Sequence, residues 1–215
     1  KLPENKAIPI PPKKVKDEEV SVCANGGVVM DAASGEIIFK HESEESFPIA
    51  SITKLITALV FLDYNPGWDI VYEVKPEDII EGNQYIYNGE KVKIKDLFYL
   101  SLAGSSNTAT KALVGSTGMG EEEYVKKMNE KIKLSGFNQT CFVDSTGLSN
   151  NNISSAAELA KIARLALADK EIARATLARK YELKTLGGRE KIIYNTDSLL
   201  DDFPQDGINI LGGKT

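Results

Sequence analysis

Histidine is almost missing from this sequence: His41 is the only one among 215 residues. It stands in a polar, acidic stretch, His41-Glu42-Ser43-Glu44-Glu45, which reads as a solvated loop and not as a reactive centre. That argues against zinc sites built on two or three histidines, and a Ser-His-Asp triad would depend on this one residue. Any hydrolase here needs a base other than histidine. Cysteine is scarce too. Cys23 and Cys141 allow one bridge or none, so they leave the redox compartment open. The longest apolar run, Leu55 to Leu62, is interrupted by Thr57 and is too short to span a bilayer. Positive charge is in deficit, with 26 Lys+Arg against 31 Asp+Glu, and this predicts no nucleic-acid partner. No signal peptide is visible, and because the sequence opens on Lys1, an earlier leader is expected to have been removed.

What remains is ordinary for a globular domain, 42% hydrophobic and 27% charged, long enough to bury a core without metals or disulfides. Four of the eight prolines fall within residues 1–20, in Leu2-Pro3 and Ile8-Pro9-Ile10-Pro11-Pro12, with Lys13, Lys14 and Lys16 following. This segment reads as a semi-rigid linker, either a plain terminus or a tether to something upstream such as a membrane anchor. The folded domain is expected over residues 21–215.

Within it, Val28–Asp31 and Glu36–Phe39 flank Ala32-Ala33-Ser34-Gly35 as strand, tight turn, strand. Pro48 and Ser51 suit a helix start, and Asn65-Pro66-Gly67 stops that helix. Residues 68–94 read as short strands with a turn at Asn88-Gly89. Helices are predicted from about Lys95 to Leu102, from near Thr108 to Gly115 or Gly118, and over Glu121–Leu134, closed by Gly136. Ser154-Ser155-Ala156-Ala157-Glu158 opens an alanine-rich helix running to about Asp169. Tyr181–Thr185 and Lys191–Tyr194 bracket Gly187-Gly188 as a second hairpin. The order implies an α+β fold.

The chemistry centres on Ser51 and Lys54. Three residues apart on a helix, they share one face and can touch. A serine at a helix start gains from the exposed N–H groups there, and its own N–H can help hold an oxyanion. Its base can be a neutral lysine amine. A free lysine is neutral in only about one molecule in 2,500 at pH 7. Burial and a second cation must therefore lower its pKa by roughly three units, about 4 kcal/mol. The plain alternative is a helix cap followed by a surface lysine, yet the run after Lys54 has no polar face wide enough to keep it solvated.

Ser105-Ser106-Asn107 sits between two helices, as a polar turn or as one side of a cleft. There Ser105 can relay a proton and Asn107 can hold an amide. Gly212-Gly213-Lys214-Thr215 follows the apolar stretch Ile208–Leu211, either as a strand end or as the source of the second cation and a grip for a carboxylate.

These three elements in this order resemble the Ser-x-x-Lys, Ser-x-Asn and Lys-Thr-Gly set of penicillin-binding proteins and class A β-lactamases. The sequence is most similar to the low-molecular-mass serine D-alanyl-D-alanine carboxypeptidases. The likeness includes Phe47–Lys54, Gly89-Glu90-Lys91-Val92 before Asp96-Leu97, Asp144-Ser145-Thr146-Gly147-Leu148, and Ser155–Ala160, and it covers about residues 22–215. The resemblance implies a β-lactamase/transpeptidase-like fold, an antiparallel sheet with helices on both faces and a mainly helical region beside the cleft. It also implies two further strands and a closing helix beyond Thr215, so a domain lacking its C-terminal strands. By the same resemblance Ser51 would be acylated, Lys54 would be its base and Ser105 would relay protons. Asn107 would bind the substrate backbone, and Lys214 with Thr215 would hold the terminal carboxylate. No cofactor or metal is implied. The partners implied are peptidoglycan stem peptides and acylating β-lactams, in a bacterial cell envelope outside the cytoplasmic membrane. Ser106 stands where β-lactamases usually carry aspartate, and their Glu-x-x-Leu-Asn pattern is absent between Asn107 and Lys214. Other readings are a class A-like β-lactamase, a D,D-endopeptidase and a non-catalytic penicillin-recognising module.

Overall fold

Nine consecutive residues, Thr53 to Phe61, are buried. A helix that is enclosed on every side must form the centre of its domain. In the computed structural model, which describes residues 22–82, 85–202, 210 and 212–215, that helix is α1, Thr53–Asp63. Around it stand α2 (Ile94–Leu102), α3 (Asn107–Gly115), α4 (Glu121–Leu134), α5 (Ala156–Leu167) and α6 (Lys170–Leu177), each of them packed against α1. A short α7, Leu199–Asp202, follows. Phe61, Trp68 and Phe98 form an aromatic cluster where α1 meets α2, with ring centroids 5.1 to 6.0 Å apart. Phe61 and Phe98 are wholly buried, and truncating either to alanine would cost about 3–5 kcal/mol.

The strands lie outside this helical centre. β1 (Gly27–Met30) pairs antiparallel with β2 (Ile37–His41), and β1 packs on α5. β3 (Ser46–Pro48) pairs with β6 (Ile153–Ser155), β4 (Val71–Glu73) with β5 (Lys91–Lys93), and β7 (Lys180–Lys184) with β8 (Glu190–Tyr194). The β3–β6 pair fixes the site from outside, because it leads directly into the Ser51 turn on one strand and into α5 on the other.

The α+β expectation holds, and both predicted hairpins and the helix over Glu121–Leu134 form as read. Four details differ. The described residues make four two-stranded sheets in place of one continuous sheet, because each pair closes on its own partner. The alanine-rich helix ends at Leu167, and Asp169 caps a new helix by accepting from the Glu171 and Ile172 N–H groups at 2.8 and 3.2 Å. His41 ends β2 opposite Gly27, part-buried, where a loop was expected. The linker predicted over 1–20 lies outside the described residues. So does the apolar stretch Ile208–Leu211 except for Ile210, and Lys214 and Thr215 lie on irregular backbone, not on a strand. Cys23 and Cys141 are both free thiols.

Candidate active site

The turn before α1 is a single 3-10 turn, Ala50–Ile52, and Ser51 lies within it. Ala50 holds a positive φ of 44°, an uncommon backbone state for a residue with a side chain. Gly147 presses on this turn: a Cβ there would collide with the Ala50 carbonyl and stand 3.0 Å from Thr53 Oγ1. The Ile49 N–H donates to the Asn152 carbonyl at 3.0 Å, and Asn152 Nδ2 donates to Thr53 Oγ1 at 3.1 Å. The start of α1 is thus clamped between β6 and the turn over 144–149.

One helical turn on, Lys54 is completely buried. Its Nζ makes three hydrogen bonds, to Ser51 Oγ at 2.9 Å, Asn107 Oδ1 at 2.8 Å and the Thr146 carbonyl at 2.7 Å. None of these acceptors is a carboxylate, so none neutralises its charge. Burial first, and then the Lys214 cation, together lower the Lys54 pKa from 10.5 to about 7, against the opposing pull of Asp144. The two conditions demanded of a lysine base, burial and a second cation, are both met.

Lys214 carries the second charge. Burial lowers its own pKa to about 8, and Asp197 opposes that shift. Its Nζ donates to Ser105 Oγ at 2.8 Å and also to the Thr215 carbonyl. Gly212 holds a φ of 150°, and a Cβ there would stand 2.5 Å from Leu167 Cδ2 and 2.8 Å from Thr176 Oγ1, while one on Gly213 would have to displace the Asp197 carboxylate. Thr215 Oγ1 donates to Thr196 Oγ1 at 2.8 Å, and the Thr196 N–H donates to the Ala103 carbonyl at 3.0 Å. The end of the chain, the end of β8 and the loop between α2 and α3 therefore meet.

In that loop Ser106 is the N-cap of α3, accepting from the Ala109 N–H at 3.1 Å, while Ser105 sits at φ 51°. The two adjacent serines divide the work, one holding the helix and the other facing Lys214. A cavity of about 230 Å³ opens beside them, lined by Glu81, Tyr85, Ser105, Asn107 and Thr196 among others.

The six residues singled out from sequence therefore form two linked clusters, Ser51–Lys54–Asn107 and Ser105–Lys214–Thr215. Ser105 takes Lys214 as its amine partner. Sequence reasoning gave no role to the Thr146 carbonyl, Asp144 or Thr196. A backbone carbonyl leaves no residue-type signal, although Asp144-Ser145-Thr146-Gly147 is a recognisable turn sequence. Asp144 Oδ1 accepts from the Thr146 N–H, Thr146 Oγ1 and the Gly147 N–H at 2.6 to 2.7 Å, and Oδ2 from the Ser149 N–H at 2.8 Å. Although burial opposes it, these bonds hold the Asp144 pKa below the ordinary carboxylate value. Among the described residues, no group of three or more His, Cys, Asp or Glu is placed to hold a metal, and no helix is long and apolar enough to cross a membrane.

A hydroxyl 2.9 Å from an amine of pKa about 7 is the pairing that serine–lysine acyl transfer needs, and the fold around it is that of the penicillin-binding peptidases. The crystal structure of a D-alanyl-D-alanine carboxypeptidase from Mycobacterium tuberculosis superposes with a TM-score of 0.81 at 28% identity, covering 89% of this chain and 72% of that one. The Streptomyces K15 DD-transpeptidase shares the fold with a TM-score of 0.81 at 23% identity, over 87% of this chain and 79% of that one. The family model described as D-alanyl-D-alanine carboxypeptidase matches residues 13–215, and the chain belongs to that family. A D-alanyl-D-alanine endopeptidase of Haemophilus influenzae is 35% identical over 184 residues, 83% of this chain and 62% of that protein. A D-alanyl-D-alanine carboxypeptidase of Bacillus subtilis is 27% identical, over 90% of this chain and 52% of that protein. The chain thus spans between half and two thirds of the length of these curated relatives.

Proposed function

We propose that this chain is the catalytic part of a serine-type D-Ala-D-Ala carboxypeptidase, which removes the terminal D-alanine of peptidoglycan stem peptides and is inhibited by β-lactams. The observation that carries this reading is the Lys54 amine, buried, about half neutral at pH 7 and hydrogen-bonded to Ser51. Neutral Lys54 takes the Ser51 proton as Oγ attacks the carbonyl of the penultimate D-alanine. The Ser51 N–H helps to hold the oxyanion. Asn107, whose Oδ1 is committed to Lys54, offers its amide nitrogen to the substrate backbone. Charged Lys214, with Thr215, holds the terminal carboxylate. As the C–N bond breaks, the proton held by Lys54 passes through Ser105 to the leaving amine, and free D-alanine departs. Water then cleaves the ester on Ser51 with Lys54 again as base. A β-lactam acylates the same oxygen. Residues 21–215 act as the catalytic unit and 1–20 as its linker, outside the cytoplasmic membrane of a bacterial envelope, with membrane attachment through a segment outside this chain.

Intact-mass analysis after exposure to benzylpenicillin should show one penicilloyl adduct, lost in Ser51→Ala. An adduct on another residue, or an undiminished one in the variant, would overturn the assignment. A second reading is supported by the endopeptidase names of relatives that are 30 to 35% identical. The same residues would then cut a D-alanyl cross-link. A D-Ala-D-Ala-terminated pentapeptide and a cross-linked muropeptide dimer, given separately, distinguish the two by which one is consumed.

A further inference from the structure

The turn over 144–149 touches both members of the amine–hydroxyl pair. Its Thr146 carbonyl is an acceptor for Lys54 at 2.7 Å, and its Gly147 backbone lies against Ala50, next to Ser51. One side chain folds the turn: the Asp144 carboxylate collects the N–H groups of Thr146, Gly147, Leu148 and Ser149 and the Thr146 hydroxyl. The turn is anchored from other elements as well. Asn152 Nδ2 donates to the Asp144 carbonyl at 2.9 Å. The Ser145 N–H and hydroxyl both donate to Glu121 of α4 at 2.8 and 2.9 Å, and Glu121 is paired with Lys111 at 2.9 Å. Thr57 Oγ1 donates to the Ser145 carbonyl at 2.6 Å. Two charges act on Lys54 from opposite sides of the balance, Lys214 against its protonation and Asp144 in favour of it.

We propose that Asp144 is a positioning residue for the Ser51–Lys54 pair. Its carboxylate sets the turn that presents the Thr146 carbonyl to Lys54 and braces the Ser51 turn through Gly147, and its charge offsets that of Lys214. It touches neither substrate nor nucleophile. The proposal rests on the reading of Ser51 and Lys54 given above. It adds a reason why a carboxylate belongs beside a lysine that must lose its proton. With only burial and Lys214 acting, nothing would oppose loss of the ammonium charge, which leaves two N–H donors where there were three. Asp144 retains part of that charge and fixes one of the acceptors.

Two variants separate geometry from charge. In Asp144→Asn an oxygen still serves Thr146 and Gly147, the negative charge is lost, and only the Ser149 bond is sacrificed. The acid limb of the benzylpenicillin acylation profile should move to lower pH than in the parent, because removing a negative charge favours neutral Lys54. In Asp144→Ala the turn loses its clamp, and acylation should fall about 10²-fold, the scale of a 1 Å misplacement of catalytic groups. Circular dichroism shows whether this variant is folded, and Asp144→Asn carries the test if it is not. The Lys54 Cε resonance, followed by NMR against pH, reads the charge effect without any turnover. The proposal is overturned if Asp144→Asn leaves both the acid limb and the Lys54 titration unmoved, or if a folded Asp144→Ala acylates like the parent. If the parent itself takes no adduct, the reading of Ser51 fails, while the Lys54 titration still decides the role of Asp144.

Discussion

The Lys214 ammonium lies 2.8 Å from the Ser105 hydroxyl, joining positions 109 residues apart in the sequence. In the proposed mechanism, this contact places the second cation that the Lys54 base on α1 needs. Lys214 is close enough to oppose the charge on Lys54, yet its own hydrogen bonds go to Ser105 and Thr215 and not to Lys54. Lys214→Met should therefore raise the Lys54 midpoint above about 7, since one of the two influences lowering it is removed. Each unit of that rise reduces the neutral amine at pH 7 by up to about tenfold. NMR titration of Lys54 measures it directly, and a midpoint that stays put or falls would show that Lys214 is not the second cation.

The proposed mechanism requires Lys54 neutral and Lys214 charged for acylation. With values of about 7 and about 8, the rate should rise as pH approaches neutrality and decline above about pH 8, giving a narrow bell. Because the two lysines repel each other, the limbs report the pair and not either residue alone. Stopped-flow acylation by a chromogenic β-lactam across pH 5.5 to 10 checks this. A rate still climbing at pH 10 would remove Lys214 from the site.

How much of this was legible in the sequence depends on the distance over which each signal acts. Glu121–Leu134 was legible to the residue because acidic residues open it, lysines close it and Gly136 ends it, all of them local signals. The Ser51–Lys54 contact was legible because continuous helical backbone, a 3-10 turn running into α1, fixes it. The division between α5 and α6 was missed, since Asp169 reads equally well as the last polar residue of one helix or the cap of the next. The β3–β6 pair was missed because three-residue strands distant in sequence have no pattern of their own. The Thr146 carbonyl escaped for a different reason. Its role depends on where the backbone passes, and the visible cue, Asp144-Ser145-Thr146-Gly147, identifies a turn without showing what the turn faces.

That turn gives a steric prediction. Gly147 sits at φ 87°, and any Cβ would run into the Ala50 carbonyl. Gly147→Ala must therefore displace either the turn or the Ala50–Ile52 segment, both of which hold the Ser51–Lys54 pair. The expected result is a loss of roughly 1–3 kcal/mol of stability from backbone strain, with acylation reduced further than the folded fraction explains. Melting curves and penicilloyl adduct formation on one sample separate the two effects. Unchanged acylation in the folded fraction would show that the turn does not brace the site.

The last prediction concerns stability, and its sign follows from Lys54 alone. The folded pKa is about 7 and the ordinary lysine value 10.5, so between those limits the unfolded chain holds a proton that the folded chain has lost. Unfolding then takes up a proton, and stability must rise with pH across this window. Full ionisation would cost about 5 kcal/mol at the low end, from 3.5 units at 1.36 kcal/mol each. Lys214 acts in the same direction from about pH 8 upward. Lys54→Met removes the titrating group while keeping a side chain of similar length, at about 1–3 kcal/mol for leaving the Thr146 carbonyl unpaired. Urea unfolding at steps from pH 7 to 9.5 should show the parent gaining stability and the variant gaining less, by up to ~1.4 kcal/mol per pH unit, the contribution of one proton. The range stops at pH 9.5 because burial raises the pKa of Tyr72, Tyr124 and Tyr181, whose ionisation on unfolding acts in the opposite direction at higher pH. If parent and variant ran parallel through the whole series, Lys54 would be charged in the folded protein and could not be the base.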